Sequence, residues 1–401
     1  MKPGTTPAGD PGKFALPLVA GIIFSQMLPV TGLVPVLQEI TGGRHPGISD
    51  FSKHLFMSVN MIGAFLFAPL AGLLSDRFRA RKPLIVTALF VNGLTLLAMR
   101  LDLSYPVYLS LRFVEGCAHI ASLSLLMTLG IDYARRLAYG KTMGLLGAAL
   151  TMGIAVGAPI GGRLGQDDPL NLFLYGSVLL CMLGLVAALG LREGPHAPRE
   201  KEGLAPLLLS LRQHRLLLVP YAFTFVDRLS VGFIISTVTL YLRTVLEATP
   251  LEIGIILAYF MVPFSLLTYP SGRLCRRFNK LGMMILGSAG YGLLLIVLPA
   301  VELDTVRWLM LGGGVAAALM FAPSLVLTGL LAGEDNKALA MGGFHTAGSL
   351  GFLLGPLAGG AAVTFFAYSP ISPYTGAFLV IGGLELVCAL VFLPFLKRLR
   401  S

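Results

Sequence analysis

Uninterrupted apolar stretches separated by short polar breaks run the length of the chain. Twelve such runs stand out: residues 14–37, 54–75, 83–101, 106–133, 142–165, 171–191, 216–245, 252–271, 281–301, 307–331, 341–366 and 374–396. Nearly all reach the length of about 20 residues that a helix needs to cross a hydrocarbon core. Strands of a membrane barrel would alternate polar and apolar positions, whereas these runs are apolar throughout. The pattern predicts an all-α membrane protein with twelve transmembrane helices. Connections are short except at 192–215, REGPHAPREKEGLAPLLLSLRQHR, which is charged and carries three prolines. The chain is therefore expected to divide into a cytoplasmic tail at 1–13, a six-helix bundle at 14–191, a cytoplasmic linker at 192–215, a second six-helix bundle at 216–396 and a short tail at 397–401. The Gly/Pro-rich tail is expected to be disordered. The run starting at Phe14 is too long for the apolar part of a signal peptide and precedes further spans, so it reads as a retained span.

Composition sharpens this picture. Of 401 residues, 55% are hydrophobic and 12% charged, with a mean hydropathy of +0.81. An average soluble domain is about 25% charged. A water-soluble single-core enzyme, a disordered chain and a disulfide scaffold are thereby excluded. The net charge of +10 would suggest a nucleic-acid partner in a soluble chain, but the basic residues sit elsewhere. With the N-terminus inside, 22 of the 30 fall in cytoplasmic segments, six in outer segments, and two, Arg112 and Arg228, within spans. This bias predicts a multi-pass bacterial inner-membrane protein with both termini cytoplasmic. The basic residues then anchor it beside an anionic leaflet, and no nucleic acid is expected. Cys117, Cys181, Cys275 and Cys388 have no paired spacing, so neither a disulfide nor a metal site is expected. There is no P-loop and no long polar domain for ATP. No cofactor and no enzymatic activity are expected, and energy would come from an ion gradient or from the substrate's own.

The two halves echo each other at an offset near 200. PLAGLLSDRFRARKPLIV (69–86) parallels TYPSGRLCRRFNKLGMMIL (268–286), and GAPIGG (157–162) parallels GPLAGG (355–360). Such a repeat predicts two pseudo-symmetric six-helix bundles with a central cavity. The stretch from Gly72 through Asp76, Arg77 and Arg81 to Lys82 resembles the loop signature Gly-x-x-x-Asp-Arg-x-Gly-Arg-Arg/Lys of the major facilitator superfamily, departing from it at Arg79 and Ala80. The resemblance covers the whole chain. It implies that Asp76 faces the N-terminus of the eleventh helix, where the dipole favours a carboxylate, and forms a cytoplasmic gate with Arg77. A solvated turn carrying basic anchors is the alternative. Gly72 is expected to permit a close helix approach there.

Five charged residues lie well inside the spans: Arg112, Glu115, Asp227, Arg228 and Glu385. Arg112, Glu115 and His119 follow at i, i+3 and i+7 and so share one helix face. Arg112 with Gly116 resembles the family's fourth-helix motif, Arg-x-x-Gln-Gly, with Glu115 in place of Gln. The resemblance places this face in the cavity. Either Arg112 and Glu115 satisfy each other locally, or Glu115 or His119 carries a proton under the influence of Arg112. Asp227 and Arg228 are adjacent, pointing about 100° apart, so only one can face a cavity squarely. They read either as a site near mid-membrane or as a pair bridging to neighbouring helices. Glu385 reads as a packing or hydrogen-bonded residue. Gly355, Pro356 and Gly359 reproduce the family's antiporter spacing in the eleventh run, while Gly157, Pro159 and Gly161 in the fifth carry it with the proline displaced. These serve close packing or a kink. Met152, Phe223 and Tyr259 are candidates for an apolar pocket wall.

The chain thus reads as a secondary transporter working by alternating access. Its short loops and its fourth and fifth spans resemble the drug:proton antiporter branch, which implies proton-coupled efflux of a small organic or amphipathic compound. A proton-coupled symporter importing an organic anion and a non-transporting membrane sensor or scaffold are the alternatives. The expected partners are a small-molecule substrate, protons and the bilayer, with the chain as a monomer.

Overall fold

The computed structural model describes residues 14–78, 80–133, 139–193, 215–332 and 337–397, except for the side chains of Asp76, of Lys397 and of a few residues at 139–143 and 337–339. The tail at 1–13 and most of the linker lie outside the described residues. Twelve helices among those described are long and apolar enough to cross a membrane. They are α1 (Ala15–Gly32), α2 (Asp50–Phe78), α3 (Lys82–Met99), α4 (Tyr105–Tyr133), α5 (Tyr139–Leu164) and α6 (Asn171–Gly190). Then follow α7 (Leu218–Phe233, continued by a π-helical turn Ile234–Val238 and by Thr239–Thr244), α8 (Pro250–Leu274), α9 (Lys280–Val297), α10 (Leu303–Leu331), α11 (Lys337–Phe366) and α12 (Pro373–Phe392).

Boundaries follow local chemistry. α1 stops at Gly32 rather than near residue 37, because Pro35 lacks the N–H that would continue the ladder. The chain then turns and forms a π turn at Glu39–Gly43. α8 opens on a capping box: Thr249 Oγ1 accepts from Glu252 N at 3.3 Å, and Thr249 N donates to Glu252 Oε2 at 2.8 Å. α3 is capped from a distance, with Arg81 N and Lys82 N donating to the Glu193 carboxylate at 3.1 and 2.9 Å. A carboxylate there is favoured by the helix dipole. In α7 the π turn is stitched by Thr239 Oγ1, which donates to the Ile234 carbonyl at 3.2 Å.

Contacts divide the chain into two units. One holds residues 1–33, 59–157 and 167–199; the other holds 34–58, 158–166 and 200–401. Glycines set the helix crossings within each. In the first unit, a Cβ on Gly116 of α4 would overlap the Asn60 carbonyl of α2, and one on Gly63 of α2 would overlap the Phe113 carbonyl of α4. Gly93 brings α3 against Cys181 of α6, and Gly153 and Gly157 bring α5 against α1. The second unit repeats the pairing. Gly314 brings α10 against the Phe260 carbonyl of α8, Gly292 brings α9 against Gly382 of α12, and Gly351, Gly355 and Gly359 bring α11 against α7. The repeat read from sequence thus recurs as three equivalent helix pairs. The second unit also takes in the segment after α1, the start of α2 and the end of α5. There Gly162 of α5 meets Pro250, Gly254 of α8 meets Ala158, Gly360 of α11 meets His54, and Arg243 pairs with Glu39 at 2.5 Å.

Gly72 departs from expectation. It is exposed, and a Cβ there would meet nothing within 4 Å. The tight approach of α2 lies at Gly63, nearer the start of the helix, where α4 crosses it. Gly116→Ala should therefore drive a methyl group into the Asn60 carbonyl and cost about 1–3 kcal/mol. Gly72→Ala should leave stability unchanged or slightly raised, since alanine is the better helix former. Thermal unfolding of the detergent-solubilised variants, followed by gel filtration, checks both.

Candidate functional site

The inward stripe of α4 carries the first cluster. Arg112 and Glu115 are both fully buried, and His119 is buried one turn further on. Helical spacing lays the three side chains over one another, and Arg112 Nη1 donates to Glu115 Oε2 at 2.7 Å. Asn60 Nδ2 of α2 donates to the same oxygen. The bare backbone of Gly116 is what lets α2 come close enough to deliver that amide. Glu115 Oε1 and His119 Nδ1 have no hydrogen-bond partner among the described residues. The stripe continues to Ser122, whose hydroxyl lies 2.8 Å from Gln26 Oε1 of α1 and 2.9 Å from the His119 carbonyl. One carboxyl oxygen is thus doubly engaged and the other is open, beside an imidazole with an open ring nitrogen. That arrangement can bind and release a proton without losing its counter-ion.

The second cluster is on α7. Asp227 is fully buried, and Arg228 curls back to it, with Nε at 2.8 Å and Nη2 at 2.7 Å from Oδ2. Neighbours in sequence that leave the helix about 100° apart meet because the arginine stem is long enough to return. The two charges pair with each other on one helix. Arg228 also lies over the rings of Phe264 and Phe321, its guanidinium carbon 5.0 and 4.5 Å from their centroids. The aromatic faces stabilise a cation that water does not fully reach. Asp227 Oδ1 has no hydrogen-bond partner among the described residues, and neither has the buried Tyr291 hydroxyl of α9. The two clusters share a layout: a buried carboxyl group, an arginine of the same helix on one oxygen, and the other oxygen open.

The loop signature is placed differently from expectation. Arg81 is buried and ion-paired with Asp132 at the end of α4, so it ties the loop into the first unit and is not part of a solvated turn. Arg77 is exposed, and the side chain of Asp76 lies outside the described residues. In α5 and α11, Gly157, Gly161, Gly355, Pro356 and Gly359 are buried; Gly157 and Gly355 lie against the backbone of Leu28 and Leu229, and Gly359 lies against the side chains of Thr237 and Phe233. Pro159 stands where Gly254 of α8 crosses. Phe223 is not a pocket wall: it is fully buried with its ring 5.5 Å from Phe392 of α12. Tyr259 sits edge-on to Trp308 at 5.9 Å, and Met152 is half exposed. The four cysteines are free, and no group of three or more His, Cys, Asp or Glu is arranged for a metal among the described residues. Reading the sequence missed Asn60, Gln26 and Ser122, whereas Glu385, read as a packing or hydrogen-bonded residue, is fully buried with its carboxyl group between Ser230 and Ser288. A lone amide inside an apolar run was the signal available for Asn60 and Gln26.

Comparison with known proteins agrees with this architecture. The sequence profile of the Major Facilitator Superfamily matches residues 19–226 and 220–401. A multi-drug resistance efflux pump PmrA homolog of Lactococcus lactis subsp. lactis is 23% identical over 393 residues, covering 95% of this chain and 93% of that protein. Multidrug resistance protein MdtG of Enterobacter lignolyticus is 25% identical over 230 residues, covering 56% and 53%. Among solved structures, the nucleoside transporter NupG superposes with a TM-score of 0.75 at 13% identity, over 96% of this chain and 99% of that one. A D-xylose-proton symporter superposes with a TM-score of 0.70 at 16% identity, over 96% of each chain.

The α4 pair predicts a strong coupling. Arg112→Met alone strands Glu115 and should cost about 3–5 kcal/mol. Adding Glu115→Leu should recover at least ~1 kcal/mol of that loss, because the pair then leaves together. A double-mutant cycle by thermal unfolding measures the recovery.

Proposed function

Because the chain belongs to the Major Facilitator Superfamily, a family of multi-pass membrane transporters, we propose that it exports a small organic, amphipathic compound in exchange for protons. One observation carries the proton part. Glu115 and Asp227 are buried carboxyl groups, each held through one oxygen by an arginine while the other oxygen stays open. A buried ionisable group in a membrane helix is costly unless it works, and this layout lets it gain and lose a proton beside a permanent cation. Arg112 and Arg228 hold the charged forms, and His119 extends the first site. The direction rests on the relatives, both of which bear the names of multidrug resistance proteins. Both termini face the cytoplasm, as the basic loops suggest. Asp76 and Arg77 gate that side, and the exchange runs by alternating access.

A second reading is uptake of an organic anion with protons. The observation favouring it is Arg228, a partly buried guanidinium seated on two aromatic faces and able to receive a carboxylate in place of Asp227. Purified protein in proteoliposomes separates the readings. With a fluorescent amphipathic cation as probe, an acidic lumen should drive accumulation if the exchange reading holds. An acidic bath driving accumulation of an organic anion would replace it with symport. Glu115→Gln and Asp227→Asn should each reduce gradient-driven accumulation at least about fivefold, the lower end of ordinary coupling energies, while probe counterflow without a gradient persists.

A further inference from the structure

Glu385 has no part in the exchange reading, yet its carboxyl group is met by serine hydroxyls where Glu115 and Asp227 have an arginine. It stands on α12, whose most apolar stretch has only 28% of its residues buried, against 72% in α7. Glu385 itself is fully buried. Its Oε1 lies 2.8 Å from Ser230 Oγ of α7, and its Oε2 lies 2.5 Å from Ser288 Oγ of α9. The crossing of Gly292 and Gly382 brings α9 close enough for Ser288 to reach it.

Ser288 has one hydroxyl hydrogen and two oxygens of Glu385 within reach, for its Oγ is also 2.9 Å from the Glu385 backbone carbonyl. If that hydrogen goes to the carbonyl, the short contact to Oε2 needs a hydrogen from the carboxyl group. Charge accounting points the same way. The titratable and charged groups around Glu385 are Asp227 and Arg228 on α7, Tyr291 on α9 and Cys388 on α12 itself. α11 also packs against α12 but has no titratable side chain between 346 and 366. Arg228, the cation of this group, is engaged by Asp227 and by two aromatic rings. An ionised Glu385 would be a second buried anion near Asp227 with hydroxyl groups alone to hold it, which is strongly unfavourable.

We propose that Glu385, with Ser230 and Ser288, is a proton-holding site: a neutral carboxylic acid that donates to Ser288 Oγ, so that Asp227 and Glu385 hold one proton between them. The site deepens the proton-coupled reading above, but its protonation can be read without transport. Infrared spectra of the protein in lipid bilayers at neutral pH report protonated carboxyl groups directly. The expected result is a protonated-carboxyl band present in the wild type and missing in Glu385→Gln, which keeps the shape of the side chain. In Ser288→Ala the band should shift, because its acceptor is gone. In Asp227→Asn it should weaken, because the competing anion is gone and Glu385 ionises. A wild-type spectrum that Glu385→Gln leaves unaltered overturns the proposal, and a band of unchanged strength in Asp227→Asn overturns the shared proton. If no probe moves on a proton gradient, the exchange reading falls while the spectra still decide the state of Glu385.

Discussion

A charge inside a hydrocarbon layer has to be answered by something its own helix or its nearest neighbour can bring, because no water arrives to do it. The interior of this protein is organised by that constraint. Glu115 is answered from three residues back on α4 and by an amide from α2. Asp227 is answered by the residue next to it. Neither answer uses both oxygens of the carboxyl group. The local solution pairs each carboxyl group through one oxygen and leaves the other open.

Glycine is the means by which those answers arrive. A helix carrying side chains all round keeps its neighbour about 8–10 Å away, axis to axis. Removing the side chain at Gly116 and Gly63 lets α2 and α4 lie backbone on backbone, and Asn60 falls within reach of Glu115 as a result. The same economy at Gly292 and Gly382 sets Ser288 against Glu385. The glycines therefore serve more than packing, because they fix which polar group meets which. Their recurrence in equivalent helix pairs carries the internal repeat from sequence into the crossings themselves.

Much of the fold was legible before any coordinates. Twelve apolar runs became twelve helices, because in a membrane segment length and polarity alone decide the matter. The α4 stripe was legible too, since Arg112, Glu115 and His119 belong to one helix and periodicity suffices. What periodicity cannot supply is the partner from elsewhere in the chain. Asn60 and Gln26 passed unread, and Glu193, placed with the charged linker, caps α3. Arg81 was read with the gate and instead reaches Asp132. Gly72 was read as a contact because its motif suggests one, whereas a contact needs a neighbour, and the neighbour lies at Gly63.

The π turn of α7 has a consequence for how that helix transmits information along its length. An α-helix keeps strict count, and every residue's direction follows from its number. At Ile234–Val238 the hydrogen bonds span one residue more than they should, so the count slips by about one position, roughly 100° of rotation. The half of α7 bearing Asp227 and the half bearing Arg243 therefore present side chains in directions offset from those an unbroken α-helix would give.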